Sequence, residues 1–232
     1  MKLGENRRLM TEKLVYKIKD NKQSTLVMLS GGIDSTAALW HVLNHPDDYG
    51  KVHVHHIHIK NLEARWKAEA IAVKDVLTYM KKHSDTPFTF SESTITVPHF
   101  GSNFMFDVEA IGFITGYMTS RDSSITKVVI AATATDFELG VDGSVMRGKR
   151  AHNAYHPDEE DHSARIKEYP QSHMTKEEVY KSVPPELAVL TWSCRTPHYA
   201  DGKPIECGRC KTCRIEMRMV DRPKSAGKIS YK

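Results

Sequence analysis

The stretch Val27-Met28-Leu29-Ser30-Gly31-Gly32-Ile33-Asp34-Ser35-Thr36 concentrates the most chemistry in this 232-residue chain. An apolar run breaks there into two glycines and restarts as Ala37-Ala38-Leu39-Trp40, which reads as strand, loop and helix. Without a Cβ, Gly31 and Gly32 let backbone N–H groups approach an anion, and the helix that follows points its positive end at the same spot. Phosphate is the expected ligand. A Walker A loop needs a longer spacing and a Gly-Lys-Ser/Thr ending, so that reading fails. An ordinary strand-to-helix turn would account for the glycines but leaves Ser30, Asp34 and Ser35 unexplained.

The second cluster lies far downstream. Cys194 follows Thr191-Trp192-Ser193, and Cys207-Gly208-Arg209-Cys210-Lys211-Thr212-Cys213 supplies the other three of the four cysteines. Two Cys-x-x-Cys steps that share Cys210, together with Cys194, give four thiolates able to converge tetrahedrally on one zinc. A disulfide pair is disfavoured because no secretory signal opens the chain, and a redox Cys-x-x-Cys would not require four cysteines. With every cysteine committed, the expected zinc is structural rather than catalytic.

Around these two sites the composition is that of an enzyme core. A hydrophobic content of 40% suits one α/β core, and a net charge of +4 does not by itself demand nucleic acid. No apolar run approaches membrane-spanning length, so the expectation is a cytoplasmic protein with no membrane and no stable nucleic-acid partner. The expected organisation is a nucleotide-binding α/β domain over residues 1–190, a zinc-binding segment over 191–220 packed on it, and a flexible basic tail over 221–232.

The elements that must carry the sites alternate. Residues 7–20 read as helical, 25–30 as the first strand, 35–44 as its helix, Val52 to Ile59 as the second strand and 62–82 as a long helix. In that helix Leu62, Trp66, Ala70, Val73, Leu77 and Met80 form a core stripe at helical spacing. Thr94 to Val97 reads as a third strand, 104–119 as a helix and Lys127 to Ala131 as a fourth strand. The pattern predicts an open, mostly parallel twisted sheet with helices on both faces. Ligands in such sheets sit beyond the carboxyl ends of the strands, so the loops after residues 30, 59, 97 and 131 should surround one crevice.

Two histidine groups fall outside this scheme. Strand alternation separates His53 and His55 from His56 and His58, so the four do not make one metal cage; His58, at the carboxyl end, is the one expected in the nucleotide pocket. His152, His156 and His162, among Asp158, Glu159, Glu160 and Asp161, match no metal spacing and read as a solvated acidic loop.

Ser-Gly-Gly-x-Asp-Ser at residues 30–35 resembles the PP-loop of the ATP pyrophosphatase superfamily, whose members cleave ATP between the α- and β-phosphates. With Trp192-Ser193-Cys194 and Cys207-Gly208-x-Cys210-x-x-Cys213, the chain resembles the 7-cyano-7-deazaguanine synthase family. That resemblance implies ATP-dependent conversion of 7-carboxy-7-deazaguanine and ammonia to the nitrile, for queuosine-type nucleosides, beside a structural zinc. The middle departs from the family pattern: His58-Ile59-Lys60 stands for Tyr-Gly-Gln, and of Pro-x-Arg-Asn only Pro98 and Asn103 have counterparts.

The implied site takes ATP and Mg²⁺ on Leu29, Ser30, Gly31, Gly32, Ile33, Asp34, Ser35, Thr36 and His58, with Ser30, Asp34 and Ser35 as the catalytic set. Ser30, Ser35 and the glycine backbone would hold pyrophosphate, and Asp34 would position the loop or hold Mg²⁺. Phe100, Asn103, Phe104 and Asp136 could stack on and pair with a planar deazaguanine carboxylate. The zinc ligands would be Cys194, Cys207, Cys210 and Cys213. Two alternatives stand beside this reading, a PP-loop tRNA thiolase and a non-catalytic ATP- and zinc-binding regulatory module; a homodimer is compatible with each.

Overall fold

The computed structural model describes residues 23–97, 107–134, 136, 144–156 and 166–218. Its centre is β1 (Ser24–Met28), too short and apolar to be anything but a buried strand. It is followed by α1 (Ile33–Asn44), the one-turn α2 (Pro46–Tyr49), β2 (Lys51–Lys60), α3 (Trp66–His83) and β3 (Phe88–Thr96). Then come α4 (Asp107–Arg121), β4 (Ile125–Val129), α5 (Ser144–Asn153) and β5 (Ile166–Glu168). The chain ends in α6 (Lys176–Lys181), α7 (Pro185–Ala188), the hairpin β6 (His198–Ala200) and β7 (Lys203–Ile205), and α8 (Lys211–Met217).

The first five strands form one parallel sheet in the order β3-β2-β1-β4-β5. Both faces of β1 are dry, and its side chains sort by parity. Val27 joins Leu29, Val54 and Val129 in a core closed by α1, α3, α6 and α7. Leu26 and Met28 join Ile57, Ile59 and Val128 in a second core closed by Ala110 of α4. Because β2 and β4 flank β1 and the helices that follow β1 and β3 cover opposite faces of the sheet, a crevice opens beyond its carboxyl end, as expected.

Several boundaries differ from the sequence reading. The long helix begins at Trp66, so Leu62 lies in the preceding loop and is 61% exposed, outside the core stripe; Val73, Leu77 and Met80 are buried as expected. The third strand starts at Phe88, because it pairs in register with β2 from Val52 onward. The fourth ends at Val129, and β5 beside it has no apolar signature. The expected helix over 7–20, the tail over 221–232, and residues 98, 100, 103 and 104 lie outside the described residues.

Correction is larger at residues 144–156. His152 and His156 do not sit in a solvated loop: α5 packs along α4, and both imidazoles are buried. His152 Nδ1 bonds Thr115 Oγ1 at 2.9 Å, and His156 Nε2 bonds Thr119 Oγ1 at 2.9 Å. The helices approach so closely that a Cβ on Gly112 would lie 2.2 Å from the carbonyl oxygen of Gly148. Gly112→Val should therefore force the pair apart and destabilise the protein by about 2 kcal/mol, read as a lower urea midpoint; an unchanged midpoint would contradict this packing.

Candidate functional site

The loop after β1 is a knot of hydroxyls. Ser35 Oγ donates to the carbonyl of Gly32 at 3.1 Å and accepts the backbone N–H of Ser30 at 3.1 Å. Ser30 Oγ lies 2.9 Å from Ser35 Oγ and accepts the N–H of Gly32 at 3.3 Å. Ser30 is exposed while Ser35 is buried, so the loop presents one hydroxyl and anchors itself with the other.

Gly31 has φ +81°, and a Cβ there would meet the Glu69 carbonyl oxygen of α3 at 3.0 Å. Any other residue would be strained and displaced. Its own carbonyl accepts the backbone N–H of Trp192 at 2.8 Å, a bond that ties the distant cysteine segment to the loop. The N-terminus of α1 opens directly from this turn, with Gly32 in extended conformation at its cap. A helix start without a side-chain cap leaves its first-turn N–H groups open to an anion.

Asp34 is held from the far end of the chain. Its Oδ2 pairs with Lys176 Nζ, while its buried Oδ1 has no hydrogen-bond partner among the described residues. Lys176 is fixed at the first position of α6 by a reciprocal cap: Thr175 accepts the N–H of Glu178, and Glu178 accepts the N–H of Thr175 at 2.7 Å. The Thr-Lys-Glu-Glu pattern at 175–178 is legible as a capping box, but its partner on α1 is not. A carboxylate oxygen that is buried and unpartnered beside a phosphate cradle fits the hard oxygen donor that Mg²⁺ requires.

Loop and helix ends surround one cavity of about 300 Å³. Leu29, Ser30, Gly32, Ile33, Asp34 and Ser35 line its floor, as expected; Gly31 and Thr36 shape the loop from behind. Lys149, Lys167 and Lys176 also line it, and none of the three was singled out in the sequence. His56, rather than His58, is the histidine of its parity that faces this cavity. His56 Nδ1 lies 2.8 Å from the carbonyl of Leu29, so that nitrogen carries the proton. His58 pairs instead with Glu92 on β3 at 3.2 Å.

Asp136 also lines the cavity, but its Oδ2 accepts the Thr133 N–H at 2.8 Å and the Thr133 hydroxyl at 2.9 Å. Its expected role as acceptor for a base is thus shared with capping a turn. Phe100 and Asn103 lie outside the described residues.

A charge network forms the wall nearest the cysteines. Arg65 pairs with Glu63 at 2.8 Å, with Glu69 at 2.9 Å and with Asp107; Arg195 bridges Glu63 at 3.3 Å and Asp107 at 3.2 Å. Two guanidinium groups face three carboxylates, and burial pushes Glu69 up to about 7. This network joins the loop before α3, the start of α4 and the residue after Cys194.

All four sulfurs, Cys194, Cys207, Cys210 and Cys213, lie within 4.8 Å of one another. Cys194 Sγ accepts the N–H of Cys207 at 3.2 Å, Cys207 Sγ that of Cys210 at 3.3 Å, and Cys210 Sγ that of Cys213 at 3.5 Å. Such N–H donors stabilise thiolates, the ligand form of cysteine. A hydrogen bond from the Cys213 thiol, with the backbone N–H of Cys207, brings Cys194 down to about 6. A tetrahedral ion with bonds of about 2.3 Å holds its sulfurs about 3.8 Å apart, so the cage fits a single metal ion. A four-iron cluster spreads its thiolates more widely, because each binds a different iron. The cage is buried against Ala68, Ala72 and Trp192, and Tyr180 Oη donates to Glu216 of α8 at 2.7 Å.

No family model matches the chain, and no curated protein does. Among solved structures, a similar one is the U34-tRNA thiolase NcsA from Methanococcus maripaludis with its 4Fe-4S cluster, 12% identical, with 91% of this chain and 69% of that chain covered and a TM-score of 0.45. The cluster and the thiolase activity are properties of that protein.

The buried imidazoles make the site acid-sensitive. Burial lowers His55 and His56 from about 6.5 to about 4. Between those values the unfolded chain binds more protons than the folded one, so stability rises with pH across the window and is lost on acidification, by about 1.4 kcal/mol per unit for each fully titrating group. Glu69, raised to about 7, acts in the opposite sense over the same window, so the test is differential: between pH 7 and pH 4.5 the melting temperature of His56→Gln should lose less on acidification than that of the unaltered protein, and an equal change in the two would exclude a neutral buried His56.

Proposed function

We propose that the chain is a PP-loop ATP pyrophosphatase that adenylates a carboxylate, cleaving ATP to AMP and pyrophosphate. One observation carries this reading: the Ser30–Ser35 loop lies at the floor of the crevice, at the N-terminus of α1, with Asp34 held by Lys176 and further lysines facing the same space. A carboxylate is a poor electrophile until one of its oxygens becomes a good leaving group, and AMP is that group. The substrate oxygen attacks the α-phosphorus, and pyrophosphate leaves with the electron pair of the broken bond. Ser30 Oγ, the α1 N–H groups and Lys176 stand where the charge on the departing pyrophosphate accumulates. Asp34 Oδ1 would hold Mg²⁺, which supplies charge neutralisation on the phosphates.

The finer reading is that 7-carboxy-7-deazaguanine is activated, ammonia displaces AMP, and a second activation with dehydration yields the nitrile. It is supported by the joint resemblance at residues 30–35 and 191–213 and by a crevice bearing both apolar and basic side chains. The cysteine cage is read as a structural zinc site whose spacing suits one ion. A tRNA thiolase would instead need a reactive thiol or an iron–sulfur cluster there.

Turnover, product, metal and exchange measurements test this. Asp34→Ala should lower turnover on the order of a hundredfold while the melting temperature stays close to that of the parent, because the carboxylate acts on charge rather than packing. ADP as the sole direct product of the unaltered protein would contradict the α–β cleavage. Separately, metal analysis should find one zinc and no labile sulfide per chain, and chelation should lower both the melting temperature and ATP affinity, since Trp192 anchors Gly31. Iron with labile sulfide would shift the assignment to the thiolase. Absence of ATP–pyrophosphate exchange with any candidate carboxylate would favour the regulatory module.

A further inference from the structure

The odd-numbered histidines of β2 lie on the parity of Ile57 and Ile59, facing the α4 side of the sheet. In the parallel register His53 stands opposite Thr89 and His55 opposite Ser91, so the imidazoles of β2 interleave with hydroxyls of β3. His53 Nδ1 lies 2.6 Å from Thr89 Oγ1, and His53 Nε2 lies 2.7 Å from Ser91 Oγ. His55 Nδ1 lies 2.7 Å from the same Ser91 Oγ, and His55 Nε2 lies 3.0 Å from Ser93 Oγ. Every ring nitrogen is thus bonded to a hydroxyl, and Ser91 joins the two rings.

A neutral imidazole donates from one nitrogen and accepts at the other, and a hydroxyl does one of each. Five groups in series are therefore all satisfied by one uniform polarity, and equally by its reverse. Burial, which lowers both rings from their usual pKa, keeps them in the neutral form that this alternation needs. The two ends also differ. Thr89 is exposed, while Ser93 at the other end is half-buried and bonded to His55, the member of the ladder that lines the crevice beside the phosphate loop. The ladder runs along the strands toward their carboxyl ends, where the crevice lies.

We propose that Thr89, His53, Ser91, His55 and Ser93 form a proton-conducting wire between the crevice and the protein surface. A proton arriving at Ser93 Oγ displaces the hydroxyl proton of Ser93 onto His55 Nε2; His55 releases its Nδ1 proton to Ser91. Ser91 passes its own proton to His53 Nε2, His53 releases its Nδ1 proton to Thr89, and Thr89 gives one to water. One proton enters, one leaves, and the chain ends in the opposite polarity. Resting on the adenylation reading above, the natural source is the amine step: as ammonia's nitrogen bonds the acyl carbon and AMP departs with the electrons of the C–O bond, one N–H proton must be lost.

Ser91 is the joint to test, because it touches both rings and is not part of the crevice lining. Ser91→Thr keeps the hydroxyl, and Ser91→Val has nearly the same size and shape without it. Nitrogen-15 NMR of the His55 ring N–H after transfer to D₂O is the first readout. Exchange should be slowed at least roughly tenfold in Ser91→Val relative to Ser91→Thr, with backbone exchange of the surrounding strands unchanged. Equal ring exchange in the two variants, or slowing of ring and backbone together, would overturn the wire and leave a structural ladder. The second readout uses ATP, 7-carboxy-7-deazaguanine and ammonium. Ser91→Val should retain ATP–pyrophosphate exchange yet form product more slowly, and Ser91→Thr should restore it. Slowed ring exchange in Ser91→Val with no pyrophosphate exchange in the unaltered protein would sustain the wire and count against adenylation.

Discussion

The backbone N–H of Trp192 donating to the carbonyl of Gly31 is the bond on which the site's geometry depends. Gly31 accepts it in a left-handed conformation, φ +81°, that side chains rarely adopt, while Ser30 and Gly32 on either side of it line the crevice. The glycine is pressed from the opposite side by the backbone of α3 at Glu69. The anion cradle is therefore held between a helix and the segment that carries the cysteines. Trp192 also closes its indole N–H on the carbonyl of Cys194 at 2.9 Å, so the metal cage and the phosphate loop share one rigid residue between them.

From that joint the rest of the wall follows. Arg195, immediately beyond Cys194, reaches back to Glu63 and Asp107, and Arg65 completes the network from the start of α3. Removing one partner from a buried set of charges leaves the others uncompensated, at a cost that the intact set does not carry. A structural metal at this position would thus govern the shape of the crevice without entering its chemistry. The hydroxyl of Tyr199, which donates to the carbonyl of Ala64 at 2.7 Å, fastens the small hairpin to the same loop.

What the sequence made legible is what depends on neighbours along the chain. The strand–glycine–helix turn, the four cysteines and the alternation of β2 are local patterns, and each reappears in the structure. What it hid depends on distant partners. Lys176 meets Asp34 across 142 positions, and no local pattern announces it. The helix α5 was hidden for a different reason. Ser-Val-Met-Arg-Gly-Lys-Arg-Ala-His-Asn is polar and has a glycine at its middle, which propensity counts against a helix; yet that glycine is what admits the backbone of α4 at van der Waals distance. Burial of His152 and His156 follows from that approach, and the adjoining acidic residues disguised it as a solvated loop.

The strand order has a consequence for how the molecule comes together. β1 pairs early with β2, its near neighbour in the chain, but its other edge waits for β4: Ser24 Oγ meets Ser124 Oγ across 100 positions. The loop after β1 waits longer still, since Trp192 lies beyond all five strands of the parallel sheet. Closing such long loops costs entropy before any contact repays it, which slows formation of the last native pairings. On a ribosome, residues 30–35 would emerge well before Trp192 and remain an unfinished turn until that residue had followed them out. The loop after β1 is made ahead of four of the sheet's five strands and takes shape after all of them.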